Sequence, residues 1–271
     1  MKIVLLCGRQ HNQVALANKI AERFNLAGIV IEQPPPKKMI TFSLVQLVEK
    51  LLDRTIFLSL HRTWFNLLNE YKKEYSSFPD TKKITVSNIN ADASIDFIFT
   101  LQPDLVMVSG TSIVKKNILA LPIPKGIINL HTGLSPYIKG GPNCTNWCIA
   151  EKQFHLIGNT IMWIDAGIDS GDIITTERTL LEGQENLLQL HMKVMNHAHE
   201  LYLKAVKMIA ENPAHCPRVK QLSIAAGITY YTRQWDRRAK WRLIKHVKQI
   251  PAYFKSVKYS TDCSKIKTVP L

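Results

Sequence analysis

The hydrophobic pattern opens with Ile3, Val4, Leu5 and Leu6 and breaks at Cys7-Gly8, as a buried strand does where it leaves a sheet. Residues 14–24 then bring Ala, Leu, Ile and Phe back at helical spacing, and 26–31 form a second branched apolar run. Strand, helix, strand in that order predicts a parallel crossover unit. Pro34-Pro35-Pro36-Lys37-Lys38 ends it with a stiff, solvated loop. From 40 to 75 the spacing is mostly helical, with Leu44, Leu47, Val48, Leu51 and Leu52 as its large apolar residues. It predicts an inserted helical pair lying over the sheet.

Farther on, residues 94–101 predict a short helix and 105–108 a strand, with Ser109-Gly110-Thr111 as the tight turn that follows. More strands are expected at 126–131, 155–164 and 173–176, then a long amphipathic helix over 185–209 closed by Asn212-Pro213. The alternation predicts an α/β fold: a mostly parallel, Rossmann-like sheet with helices on both faces, plus a small basic C-terminal extension. The expected organisation is a catalytic domain over 1–182, with the helical insertion at about 40–75, and a long helix with the basic extension over 183–271.

Charge changes the picture only at the end of the chain. The formal net charge is +14, but 13 of the 35 Lys and Arg residues and only two of the 21 acids lie from Arg218 onward, so +11 of it sits in the last fifth. A surplus of that kind favours anionic partners. Within it, Trp235, Ala239, Leu243 and Val247 recur at four-residue steps, which predicts a basic amphipathic helix over 235–254. Its apolar stripe is expected to cover the catalytic domain or build a homodimer, with Arg237, Arg238, Lys245 and Lys248 in water. Five cysteines without a disulfide framework read as a reduced, cytoplasmic protein. No apolar stretch reaches the roughly 18–20 residues of a membrane span.

Three segments place polar groups where a buried sheet should end. Asn129-Leu130-His131 closes an apolar strand, and residues two apart on a strand face one side, so amide and imidazole project together. Ligands bind at the carboxyl ends of strands in open parallel sheets; the same pair also suits the start of an ordinary loop. Lys139-Gly140-Gly141-Pro142 can turn so that free amides lie beside a cation, an anion cradle, although plain glycine turns share the pattern. Residues 165–172 hold Asp165, Asp169 and Asp172 with two glycines, a compact loop that can approach a ligand closely. It lacks the twelve-residue spacing and closing Glu of a calcium loop.

Asn129-x-His131, the Leu134-Ser135-Pro136 turn and Asp169-Ser170-Gly171, in that order, resemble the folate-dependent formyltransferases. These include the glycinamide ribonucleotide, methionyl-tRNA and amino-sugar N-formyltransferases. The resemblance spans about residues 80–180, and 1–32 in outline. It implies a formyl group carried from 10-formyltetrahydrofolate to a primary amine, with Asn129, His131 and Asp169 as catalytic residues. Gly110, Thr111, Ser112 and Ile113, together with Asp165, Ala166 and Gly167, match the places where the family holds the pterin ring, largely by backbone. Lys139, Gly140 and Gly141 are the candidate contacts to the acceptor. Gly133 stands where the family often has serine, and the stretch 40–75 has no clear counterpart.

The expected acceptor is the amino group of a nucleotide-linked amino deoxysugar. The methionyl-tRNA enzymes append a barrel that grips tRNA, whereas 59 residues follow Asn212 here. Glycinamide ribonucleotide enzymes stop soon after the long helix. The tRNA acceptor stays second because the tail is so cationic, and a non-catalytic relic binding RNA or a membrane is the rival from another class. No metal is expected. Cys144 and Cys148 are four apart but have no second pair, and His197 and His199 point about 200° apart on a helix and read as a solvated face. Trp147 and Trp163 read as core, and Asn88 and Asn90 as a turn.

Overall fold

The computed structural model describes residues 1–36, 51, 53–167 and 169–271. In chain order its elements are β1 (Lys2–Gly8), α1 (His11–Arg23), β2 (Asn25–Glu32), α2 (Leu58–Glu74), β3 (Lys82–Val86), α3 (Asp92–Leu101), β4 (Leu105–Ser109), α4 (Lys116–Leu119), β5 (Ile127–His131), β6 (Ile138–Gly140) and α5 (Cys144–Ala150). There follow β7 (Gly158–Trp163), β8 (Ile173–Arg178), α6 (Leu187–Glu211), β9 (Ile228–Tyr230), α7 (Arg237–Val247), α8 (Ile250–Phe254) and α9 (Val257–Ser264).

Seven strands form one sheet in the order β3-β2-β1-β4-β5-β7-β8. The pairs from β3 to β5 are parallel, and β7 is antiparallel to both β5 and β8. The sheet is therefore mostly parallel, with helices packed around it. Because the chain runs outward from β1 to β3 and then returns to β4, the strand order reverses between β1 and β4. A crevice opens at the carboxyl ends of the strands at such a reversal.

β1 is buried on both sides because its side chains alternate between two cores. Ile3, Leu5 and Cys7 pack with Leu16 and Ile20 of α1 and Leu201 and Val206 of α6. Val4 and Leu6 pack with Ile98 of α3 and Ile118 of α4 on the other face. The long helix starts where Asn186 and Gln189 cap each other reciprocally, satisfying two orphan amides of its first turn. Its Tyr202, fully buried, accepts from the Val108 amide at 2.9 Å and donates to the Ile128 carbonyl at 2.8 Å, joining β4 to β5 one residue before Asn129.

The structure corrects two expectations and adds a strand that none covered. The strand expected over 155–164 starts later, since Phe154–Leu156 is a 3-10 turn and only Gly158–Trp163 is extended. The tail helix is divided: α7 stops at Val247, and α8 begins afresh with Pro251 in its first turn, where a missing N–H costs nothing. β3 escapes the hydrophobic pattern because it is an edge strand with Lys82 and Lys83 exposed. Of the helical insertion, α2 is present, while 37–50 and 52 lie outside the described residues.

The segment beyond α6 is bound into the body. Val219 pairs with Ile173, Val269 with Thr176, and β9 runs parallel to β6. Ala239 and Leu243 of α7 are buried with Trp147 and Cys148 of α5 and Leu190 of α6, so the stripe packs on the body of the same chain. Arg238, Lys245 and Lys248 are exposed, and Arg237 pairs with Asp53. No helix among the described residues is long and apolar enough to cross a membrane.

Candidate active site

A cavity of about 420 Å³ occupies the crevice at the strand reversal, a size suited to a small-molecule ligand. Asn129 and His131 reach it from the end of β5, and Asp169 from the loop between β7 and β8. Alternation along β5 sends both side chains to one side, while Leu130 between them turns back into the core. The Asn129 amide has no hydrogen-bond partner among the described residues.

His131 is 8% exposed and held on both ring nitrogens. Nδ1 lies 3.4 Å from the Asp169 carboxylate and Nε2 lies 3.4 Å from the Cys144 thiol. Burial, with smaller contributions from Cys148 and Asp169, pushes the Cys144 thiol well above its ordinary pKa, so it is a neutral S–H. A thiol is a weak partner, and an oxygen bearing developing charge can displace it from Nε2. Gly133 explains its departure from serine: a Cβ there would stand 2.5 Å from Nε2 of His131. The chain after the histidine is tied to β7 by Thr160, whose hydroxyl donates to Gly133 at 2.7 Å and accepts from the Ser135 amide at 2.9 Å.

Asp169 adopts φ +46°, left-handed for a residue with a side chain. Its carboxylate accepts from the Gly140 amide at 3.1 Å. Gly140 has φ +88°, and a Cβ there would overlap the Tyr230 carbonyl, so only glycine brings β6 this close to β9. The Gly141 amide donates to that same carbonyl. Both amides of the expected anion cradle are thus engaged within the protein, and of the three residues only Gly140 lines the cavity.

The segments expected to hold a pterin face each other across the cavity. Gly110, Thr111, Ser112 and Ile113 line it with Asp165 and Gly167, while Ala166 turns into an adjoining groove with Ile113, Asn90 and Lys115. The first loop is fixed by Glu32, buried at the end of β2, which accepts from the Ser112 amide and hydroxyl, each at 2.6 Å. Asn90 donates to Ile113 and accepts from the Lys115 amide. The second loop is folded on Asp165, which accepts from the Gly167 amide and the Ser170 hydroxyl. Val108, Met162 and Trp163 add apolar wall. Two backbone-rimmed loops over apolar wall fit a flat, polar-edged ring.

Sequence reasoning missed Glu32, Cys144 as the partner of His131, and Gln221. A lone acid after the apolar run 26–31 was a signal for the first. Nothing in the local sequence marks the other two. The histidines of α6 are not on a solvated face: His199 is fully buried beside Tyr71, and His197 is half-buried against Glu177, Thr179 and Asn159. Trp147 is core, stacked on Tyr230; Trp163 serves both core and cavity.

Methionyl-tRNA formyltransferase of Syntrophus aciditrophicus (strain SB) is 30% identical over 154 residues, 56% of this chain and 48% of that protein. The chain spans about half the length, or less, of the curated relatives it matches. Among solved structures, a 4-N formyltransferase from Francisella tularensis superposes with a TM-score of 0.54 at 19% identity, covering 91% of this chain and 87% of its own. The sugar 3N-formyl transferase WlaRD, solved in the presence of dTDP and 5-N-formyl-THF, gives 0.52 at 15% identity, covering 87% and 71%. Residues 67–206, slightly more than half of the chain, match the formyl transferase family, and the chain belongs to it.

Proposed function

We propose that the protein transfers a formyl group from 10-formyltetrahydrofolate to the primary amine of a nucleotide-linked amino deoxysugar. The observation that carries the formyl-transfer reading is the convergence of Asn129, His131 and Asp169 on one cavity, with the imidazole between a carboxylate and a displaceable thiol. The co-substrate, when bound, supplies an electrophilic formyl carbon. The unpartnered Asn129 amide donates to the formyl oxygen as negative charge develops there, and His131 adds a second donor. Each such donor is worth about 3–4 kcal/mol. Asp169 orients the ring through Nδ1 and helps pass the proton leaving the amine towards N10 of the folate, which departs as tetrahydrofolate when its bond to the formyl carbon breaks. At 3.4 Å that contact is long for a hydrogen bond, and such contacts tighten when substrates bind.

The sugar acceptor draws support from WlaRD, whose name specifies a sugar nitrogen and which was solved with dTDP present. A second acceptor, methionyl-tRNA, is favoured by the names of the curated relatives and by the exposed cations Arg238, Lys245 and Lys248. The deciding experiment gives the purified protein 10-formyltetrahydrofolate with either nucleotide-amino-sugars or charged initiator tRNA. Formyl transfer to the sugars is expected; turnover on tRNA alone refutes that choice. Loss of neither product in His131→Ala would refute the catalytic trio.

A further inference from the structure

We infer that Gln221, fifteen residues beyond the part of the chain that matches the family, is a positioning residue that sets the direction of the Asp169 carboxylate. The inference rests on the catalytic reading of Asp169 given above. Gln221 is 6% exposed, and its side-chain amide donates both protons into the loop between β7 and β8: to the Asp169 carbonyl at 2.8 Å and to the Gly171 carbonyl at 2.8 Å. Two acceptors at that range fix which end of the amide is nitrogen. The peptide held in this way is the one whose residue sits at φ +46°. A residue with a side chain stays in that region only where its surroundings impose it, and Gln221 is the group that grips its carbonyl.

The consequence reaches the chemistry through one rigid unit. With the Asp169 backbone fixed, its carboxylate meets the Gly140 amide at 3.1 Å and His131 Nδ1 at 3.4 Å. Gln221 itself is anchored by Val219, which exchanges two backbone hydrogen bonds with Ile173; the Lys220–Asp172 pair beside it, at 3.1 Å, is solvent-exposed on the lysine side and adds little. Residues 219–221 thus run alongside the catalytic loop as a splint, attached at its foot and at its apex. Released from Gln221, the Asp169 peptide can relax out of the left-handed region and swing the carboxylate away from both partners. Displacement of about 1 Å at a catalytic group costs up to about a hundredfold in rate.

The test compares the parent with Gln221→Met, which keeps the side chain's length and packing but donates nothing, and with the isosteric Gln221→Glu, which presents oxygen to both carbonyls. Lys220→Gln, which loosens only the exposed Asp172 pair, is the control. We expect kcat to fall by roughly ten- to a hundredfold in both Gln221 variants while KM for each substrate stays within about threefold. In the ligand-free protein, exchange of the Gly140 amide, followed by NMR, is expected to quicken in both Gln221 variants and not in Lys220→Gln. Unchanged Gly140 exchange in folded Gln221→Met or Gln221→Glu overturns the inference, whatever the kinetics. Quickened exchange with kcat unchanged overturns it as well, because the carboxylate would then be free to move without cost. Should the parent transfer no formyl group while Gln221→Met still quickens Gly140 exchange, the functional reading fails and the positioning role stands.

Discussion

Asn129 is the side chain whose loss should be easiest to read. Its amide has no partner to lose among the described residues, so Asn129→Ala leaves no stranded group behind and removes only what the amide gives to the reaction. Loss of one oxyanion donor costs about 10²–10³ in kcat, or about 3–4 kcal/mol. The expected result is a fall in kcat of that size with the melting temperature unmoved, measured by steady-state kinetics beside a thermal melt. A change in KM alone would place Asn129 among substrate contacts instead. His131 is a harder residue to interpret by mutation, because Asp169, Cys144 and Gly133 all depend on where its ring lies.

The long helix α6 makes the fold sensitive to acid. Burial drives His191 down to about 4 and His199 down to about 3, the latter helped by Lys19 nearby. The native state therefore keeps both neutral, while the unfolded chain takes up their protons near the ordinary value of about 6.5. Their contribution to stability is complete above that pH, declines as pH falls, and stops declining once pH passes below about 4 for His191 and about 3 for His199. Melting temperature should fall between pH 6.5 and 5, a window in which most carboxylates do not titrate. Both ring nitrogens of His199 lack partners among the described residues, so His199→Leu should flatten that slope; an identical slope would show that the ring is not refused its proton. The same helix shows what the sequence makes legible. Its 3.6-residue pattern is local, as are the apolar runs of β1, β2, β4 and β5, and these were predictable; its Asn186/Gln189 cap is local too but was not read from the sequence. β3 was not, since an exposed edge strand needs few apolar residues, and the 3-10 turn at Phe154–Leu156 is apolar enough to pass for strand. At the site, strand alternation placed Asn129 beside His131, whereas Asp169 was reached through resemblance. Gln221 and Cys144 act through space across many residues, and no periodicity records that.

Across the whole molecule the basic tail spends much of its charge on attachment. Arg237 and Lys240 pair with Asp53, and Arg242 with Glu151 at 2.6 Å. These pairs are partly exposed, and such pairs add about 0–1 kcal/mol each. Burial of Leu243 and Ala239 outweighs them. Leu243→Ala is expected to cost about 2–5 kcal/mol in a denaturant melt, with little change between 0.1 and about 1 M salt, where the Debye length shrinks from about 10 to about 3 Å. A loss that vanishes in high salt would make attachment electrostatic. Removal of the chain after Gly227 is expected to reduce turnover, because β9 and the Tyr230 carbonyl seat Gly140 against Asp169.

The pairing of Ile138 with Ile228 also imposes an order in time. A ribosome adding about 5–20 residues per second needs on the order of ten seconds to travel from one to the other. During that interval a nascent chain already displays Asn129 and His131, yet β6 has no neighbour and Trp147 has no Tyr230 to stack on. Products that abort inside this window carry Asn129 and His131, and beyond residue 169 the whole trio, on an unclosed surface where the cluster around Leu134, Ile138 and Trp147 lacks the cover of the tail. Chaperones that read exposed aromatic and branched side chains would meet this protein there, late in synthesis, at the same place where its chemistry is assembled.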